Sequence, residues 1–175
     1  MDLIKLFLLG VGGYLLLGLF DLAQIHHKRW LSRFLSIGFL VSALPYALLL
    51  VRFSSPHPLP LLIPLSLLTA AAALATLYVA VLEIPLRHKD SEGVYSQGSY
   101  ARVRHPGFLA HLVFNLLFSL TLFDGAVACL CLLFVSCNLI LVTVEDRVLF
   151  PTLFADYEHY KQTTNFLIPR RRGHR

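Results

Sequence analysis

The sequence predicts an all-α integral membrane protein, a helical bundle of about five transmembrane helices followed by a C-terminal amphipathic helix at the interface. Three observations predict it. Of the 175 residues, 57% are hydrophobic and only 14% are charged, where soluble domains carry about a quarter, and the mean hydropathy is +0.69. The apolar residues are gathered into nearly uncharged runs of membrane-spanning length. The Lys and Arg residues alternate between connections: segments 21–33 and 83–106 and the tail after Val144 hold three, four and six, whereas the N-terminus, the turn 52–58 and the bend at 124 hold one, one and none. Basic loops stay in the cytoplasm. The N-terminus is therefore expected outside and the C-terminus in the cytoplasm of a multi-pass protein of the cell inner or plasma membrane.

The first run, Leu3 to Phe20, has Asp2 and Lys5 at its start and no small-residue cleavage site after it, so it reads as a retained span and not as a signal peptide. Gly10, Gly12, Gly13 and Gly18 allow close helix contact. A basic loop, Asp21 to Arg33, leads to the second run, Phe34 to Val51, where Pro45 is tolerable as a kink. Ser54-Ser55-Pro56-His57-Pro58 ends that helix, and the third run extends from Leu59 to Leu82. A long polar connection, Glu83 to Pro106, precedes two runs joined by a bend at Asp124-Gly125, namely Gly107 to Phe123 and Gly125 to Val144. As helices they extend roughly 25 and 30 Å, enough to cross a hydrocarbon layer and return. Leu149, Leu153, Tyr157 and Tyr160 then recur at helical spacing, which predicts an amphipathic helix beneath the hairpin.

Nothing divides the chain by composition, so residues 1–175 form one membrane domain, with N-terminal helices in 1–90 and a core in 94–170. The net charge of +5 comes from basic residues at the ends of apolar runs, which fits membrane lipids as partners and no nucleic acid. Cys129, Cys131 and Cys137 share one apolar run without zinc spacing; they read as packing residues, and no metal site is expected.

The hairpin brings two polar segments to one membrane face. Arg104-His105-Pro106 is an ordinary helix start and an ordinary basic boundary when taken alone. Glu145-Asp146 is different, because adjacent acids at a helix C-terminus oppose the dipole and call for a cationic ligand or a neighbouring Arg. His111, Asn115 and Ser119 share a helical face, with Asn138 a helical face above Glu145. They form either interhelical hydrogen bonds or the polar wall of a pocket. Tyr157 and Tyr160 read either as interface-belt aromatics or as part of a site. A ligand with a cationic centre, a diol and a carboxylate would be served by this combination, and S-adenosylmethionine has all three.

At these residues the chain resembles the isoprenylcysteine carboxyl methyltransferase family, within the membrane methyltransferases that include phospholipid N-methyltransferases. Gly98, Tyr100, Arg104, His105 and Pro106, and then Glu145, Leu149, Tyr157, Tyr160 and Pro169, follow the family pattern over roughly residues 94 to 170. Departures from it are Phe108, Ala110, Asp146, Leu153-Phe154, and Phe166 where many bacterial members carry an arginine that Arg170 to Arg172 stand near.

The resemblance implies S-adenosylmethionine as cofactor, bound by Tyr100, Arg104, His105, Pro106, Glu145, Tyr157 and Tyr160. It implies a lipophilic or prenylated acceptor, first of all an isoprenylcysteine-like carboxylate. Arg104, Glu145 and Asp146 are the expected catalytic residues, and Arg102, His111 and Asn115 the expected substrate contacts. Arg102 or Arg104 would hold a carboxylate; Asp146 would take the proton of an amine. The acceptor is expected to arrive through the lipid, past Ala110 and Ser119. Three alternatives stay open: a phospholipid N-methyltransferase, an NADPH-dependent membrane reductase of the steroid-reductase type, and a non-catalytic membrane binding protein.

Overall fold

The computed structural model describes residues 2–26, 28–84 and 93–169. Part of the polar connection, 85–92, and the arginines at 170–172 lie outside the described residues. Within them the chain is all helical, in seven principal helices: α1 (Leu3–Ile25), α2 (Arg29–Leu35), α3 (Gly38–Arg52), α4 (Leu59–Leu77), α5 (Pro106–Leu122), α6 (Gly125–Val144) and α7 (Tyr157–Thr163). The α4 helix continues through a π turn, Tyr78–Leu82, and α6 through a second, Glu145–Leu149, into Phe150–Leu153. Four segments are long and apolar enough to cross a membrane: Leu3–Gln24, Arg33–Arg52, Leu59–Leu82 and Gly125–Leu153. These make the chain an integral membrane protein. The α5 helix is apolar but shorter, at 17 residues, which is the lower end of the spanning range.

Local chemistry fixes the hairpin. Pro106 sits in the first turn of α5, where a missing N–H costs nothing. Phe123 adopts the left-handed conformation at φ 47°, and Asp124 caps α6 by accepting from the N–H groups of Ala126 at 2.9 Å and Val127 at 3.0 Å.

Glycines set the closest crossings. A Cβ on Gly13 would lie 2.5 Å from the backbone nitrogen of Ser42, and one on Gly38 would lie 2.9 Å from Leu16 Cβ, so α1 and α3 touch backbone to backbone. Gly10 makes room for the Phe134 ring of α6. The α1 helix thus packs on α3 and α6, while α4 packs on α5 and α5 on α6. Leu6, Leu49, Phe118, Val127 and Phe134 form a core near the α5–α6 turn. Consecutive in sequence, α3 and α4 are nevertheless not among the closely packed pairs. Toward the opposite end, the bundle opens into a cavity.

Three expected boundaries are corrected. Asp21 lies inside α1 and does not begin a loop; its carboxyl meets that of Glu145 in the interior, so the helix does not need to end there. The last span does not stop at Val144, because the π turn carries it to Leu153. The expected continuous tail helix is broken at Phe154, which is extended at φ −123°, ψ 114°, leaving α7 as a separate short helix.

Candidate functional site

The π turn gives the two adjacent acids different surroundings. Asp146 is buried and accepts from every side: Arg104 Nε donates to Oδ1 at 2.7 Å and Nη2 to Oδ2 at 3.1 Å. The Tyr157 hydroxyl donates to Oδ1 at 2.7 Å, and His105 Nε2 lies 3.2 Å from the same oxygen. Arg104 also donates through Nη1 to the carbonyl of Thr164 at 2.6 Å, and its guanidinium lies over the Phe166 ring. Burial works to lower the Arg104 pKa, but the Asp146 carboxylate outweighs it and the net direction is upward. This node ties the start of α5, the end of α6 and the C-terminal tail together. His105 stacks on Phe150 with a ring separation of 5.9 Å and takes Phe166 edge-on.

Glu145 faces the other way, into a cavity of ≈ 550 Å³ that Asp146 does not line. Asp21 of α1 joins it there, and His105 Nδ1 lies 3.7 Å from Glu145 Oε2. The mouth is covered by aromatic residues and backbone. Tyr160 donates to the Tyr100 carbonyl at 2.6 Å, and Tyr100 donates to the Val79 carbonyl in the α4 π turn at 3.1 Å. The segment at Gly93-Val94 is held down by Asp156, whose two carboxylate oxygens each lie 3.1 Å from the Val94 nitrogen. Gly93 has φ 103°, and a Cβ there would meet Asp156 Oδ2 at 2.8 Å, so glycine suits this approach. The turn carrying Tyr100, Gly98–Ala101, is fixed by buried Glu83, which accepts from the Ser99 nitrogen at 2.9 Å and from the Ser99 hydroxyl. Burial pushes the phenols of Tyr100, Tyr157 and Tyr160 upward, and for Tyr157 the hydrogen bond to Asp146 adds to it.

Deeper in the bundle the walls become apolar until they reach a second polar cluster. His111 Nε2 lies 3.1 Å from the Tyr14 hydroxyl, 3.2 Å from the Tyr46 hydroxyl and 3.1 Å from Asn115 Nδ2. Tyr46 donates to Asn115 Oδ1 at 2.9 Å, and Asn115 Nδ2 donates to the His111 carbonyl at 2.8 Å. Between α3 and α4 the cavity wall is thin: Ala43, Leu77 and Ala80 line the cavity and are also exposed on the outside of the bundle. An apolar molecule could pass there from the lipid.

The structure brings together Tyr100, Arg104, His105, Glu145, Tyr157 and Tyr160 around the mouth, with His111 further in, all on the cavity wall. Pro106 is buried at the α5 start, and Asn115 is buried behind His111. Arg102 is exposed and off the cavity. Ala110 and Ser119 are also off it, and Ser119 donates instead to the Leu116 carbonyl. Sequence reasoning missed Asp21, Glu83, Tyr14 and Tyr46. A signal for the first existed in the sequence: an acid two turns beyond Tyr14, still flanked by helix-forming apolar residues.

Fold and site define a helical membrane protein with a half-apolar cavity that is acidic toward one mouth. The chain matches no family model, no curated protein and no solved structure.

Proposed function

We propose that this protein is an integral membrane methyltransferase, moving the methyl group of S-adenosylmethionine to a lipophilic acceptor. The observation that carries the reading is one cavity with two chemistries: the carboxyls of Asp21 and Glu145 near the mouth, and apolar walls open to lipid between α3 and α4. A sulfonium cation is stabilised near carboxylates in a site of low dielectric. The tyrosine-covered mouth suits the polar nucleoside end, and the apolar body suits an acceptor chain. Methyl transfer from a sulfonium is an in-line displacement, so holding donor and acceptor in register does most of the work. Glu145, with Asp21, would face the sulfonium; His105, Tyr100 and Tyr160 would frame the cofactor; Arg104, Asp146 and Tyr157 would hold that frame in place.

The motif resemblance favours a carboxylate acceptor of the isoprenylcysteine type. A second reading, an amine-headed lipid, draws on a specific observation: Arg104 is committed to Asp146 and to backbone carbonyls, while two carboxyls face the cavity. The alternation of basic connections supports the N-terminus outside and the mouth in the cytoplasm, where S-adenosylmethionine is made.

The test is calorimetry in nanodiscs with S-adenosylmethionine and with NADPH, followed by transfer of labelled methyl to a prenylcysteine carboxylate and to an amine-headed lipid. Donor binding with transfer to either acceptor is the expected result. NADPH binding alone would assign a reductase, and binding of neither would leave a non-catalytic protein.

A further inference from the structure

The deep cluster of Tyr14, Tyr46, His111 and Asn115 lines the inner wall of the cavity but does not satisfy itself. His111 is 9% exposed, and its Nδ1 is buried without a hydrogen-bond partner. The tautomer does not remove the problem. With Nε2 bare, Tyr14 donates to it, Tyr46 donates to Asn115 and Asn115 donates to the His111 carbonyl, so Nδ1–H is left as a donor with nothing to meet. With Nε2 protonated, it donates to a tyrosine oxygen and Nδ1 is left as an empty acceptor. A buried polar atom without a partner is costly, and native proteins leave few of them unexplained. Inside a membrane span the cost is not relieved by bulk water. If the cluster served only to join helices, Tyr14, Tyr46 and Asn115 would already suffice, and an imidazole with a spare nitrogen would add a penalty.

We infer that this cluster is a hydrogen-bonding subsite for an oxygen function, hydroxyl or carbonyl, placed part-way along the apolar body of the ligand. The register of α1 gives the position. Tyr14 and Asp21 both line the cavity and lie two turns apart on one helix face, so the two polar levels are about 10 Å apart. A plain saturated or prenyl chain has nothing to offer at the deeper level. A chain with one hydroxyl or ketone about 10 Å from its head satisfies Nδ1 in either tautomer: a ketone accepts from Nδ1–H, and a hydroxyl donates to bare Nδ1 or accepts from the protonated one. The inference rests on the reading of the cavity as a lipophile site, but not on methyl transfer.

The test uses full-length protein in nanodiscs without S-adenosylmethionine. The probes are tritiated methyl stearate and its mid-chain hydroxy and keto derivatives, whose neutral heads avoid the carboxyls. The expected result is binding of at least one oxygenated probe about five- to tenfold tighter than methyl stearate, the ratio one neutral hydrogen bond supports. His111→Phe should bring the ratio to about one while leaving methyl stearate binding in place, and Tyr14→Phe, a milder change, should reduce it. Keto preference alone assigns Nδ1–H, and hydroxy preference alone assigns a bare nitrogen. Equal affinity for all three probes in the unmodified protein, or a preference that survives both substitutions, overturns the subsite. Loss of S-adenosylmethionine binding with the preference intact would overturn the methyltransferase reading and leave the subsite standing.

Discussion

Arg104 and Asp146, 42 positions apart, meet in a two-point ion pair with N–O distances of 2.7 and 3.1 Å. The pair makes a structural unit of what the sequence presents as two separate polar segments. Removing one partner strands the other in a buried site, so Arg104→Ala should destabilise the protein by about 3–5 kcal/mol. Arg104→Lys keeps the charge but loses the fork and should recover only part of this. Unfolding in detergent, followed by circular dichroism, measures both; an Arg104→Ala variant as stable as the parent would contradict the pairing.

The adjacent acids should separate by function. Glu145→Gln, on the cavity, should weaken S-adenosylmethionine binding about tenfold to a hundredfold, the loss of about 1.5–3 kcal/mol from a charge-assisted contact, with little change in stability. Asp146→Asn should do the reverse, lowering stability first. His105→Ala touches both acids and should show both effects. Calorimetric affinity beside a melting curve for each variant decides the matter.

Alkali should loosen the mouth. The folded state raises the phenol pKa of Tyr100, Tyr157 and Tyr160, whereas in the unfolded chain they ionise near the ordinary value of about 10. Groups raised on folding give stability that is complete below the unfolded value and is lost as pH climbs from there through the folded values. Melting temperature should therefore hold up to about pH 10 and fall above it. Tyr157→Phe should be less stable at neutral pH and lose less on further alkalinisation.

The thin wall between α3 and α4 locates the lipid-side entrance away from the expected Ala110 and Ser119. Ala43→Trp, on α3, should impair turnover of a long-chain acceptor well beyond its effect on a short soluble analogue, with cofactor affinity unchanged. Ala110→Trp and Ser119→Trp should leave that ratio alone. Comparable losses from all three substitutions would remove the case for lateral access.

Much of this architecture is legible in the chain because a bilayer imposes a coarse rule: apolar runs of sufficient length become helices. The hairpin turn was readable from Asp124 beside Gly125, and the meeting of His105 with Glu145 followed from the return of the second helix. Tyr14 and Tyr46 were not legible as site residues, because inside an apolar run a tyrosine looks like packing, and only the crossing of α1 and α3 at Gly13 and Gly38 aims both at His111. Asp21 was misplaced because a charged residue next to a basic stretch reads as the end of a span, while its partner lies 124 positions away, at Glu145. The tail was half legible: its tyrosines have helical spacing, but the anchoring of Tyr157 on Asp146 and Tyr160 on the Tyr100 carbonyl comes from partners that spacing does not reveal.

The π turn at Glu145–Leu149 gives α6 something like a reading frame. Each residue of an α-helix turns the chain by about 100°, and a π turn absorbs one surplus residue without passing that rotation on. The membrane part of α6 and the Phe150–Leu153 segment are thereby set in independent phases, one facing its helix neighbours and the other stacking Phe150 on His105. Val148, exposed and without a packing role, should accept almost any substitution. Its deletion, though chemically smaller than many of those, would let the helix relax into a regular α-helix and swing everything after it by about 100°, taking Phe150 off His105 and Tyr157 off Asp146. At this point the chain is more sensitive to how many residues it has than to which ones they are.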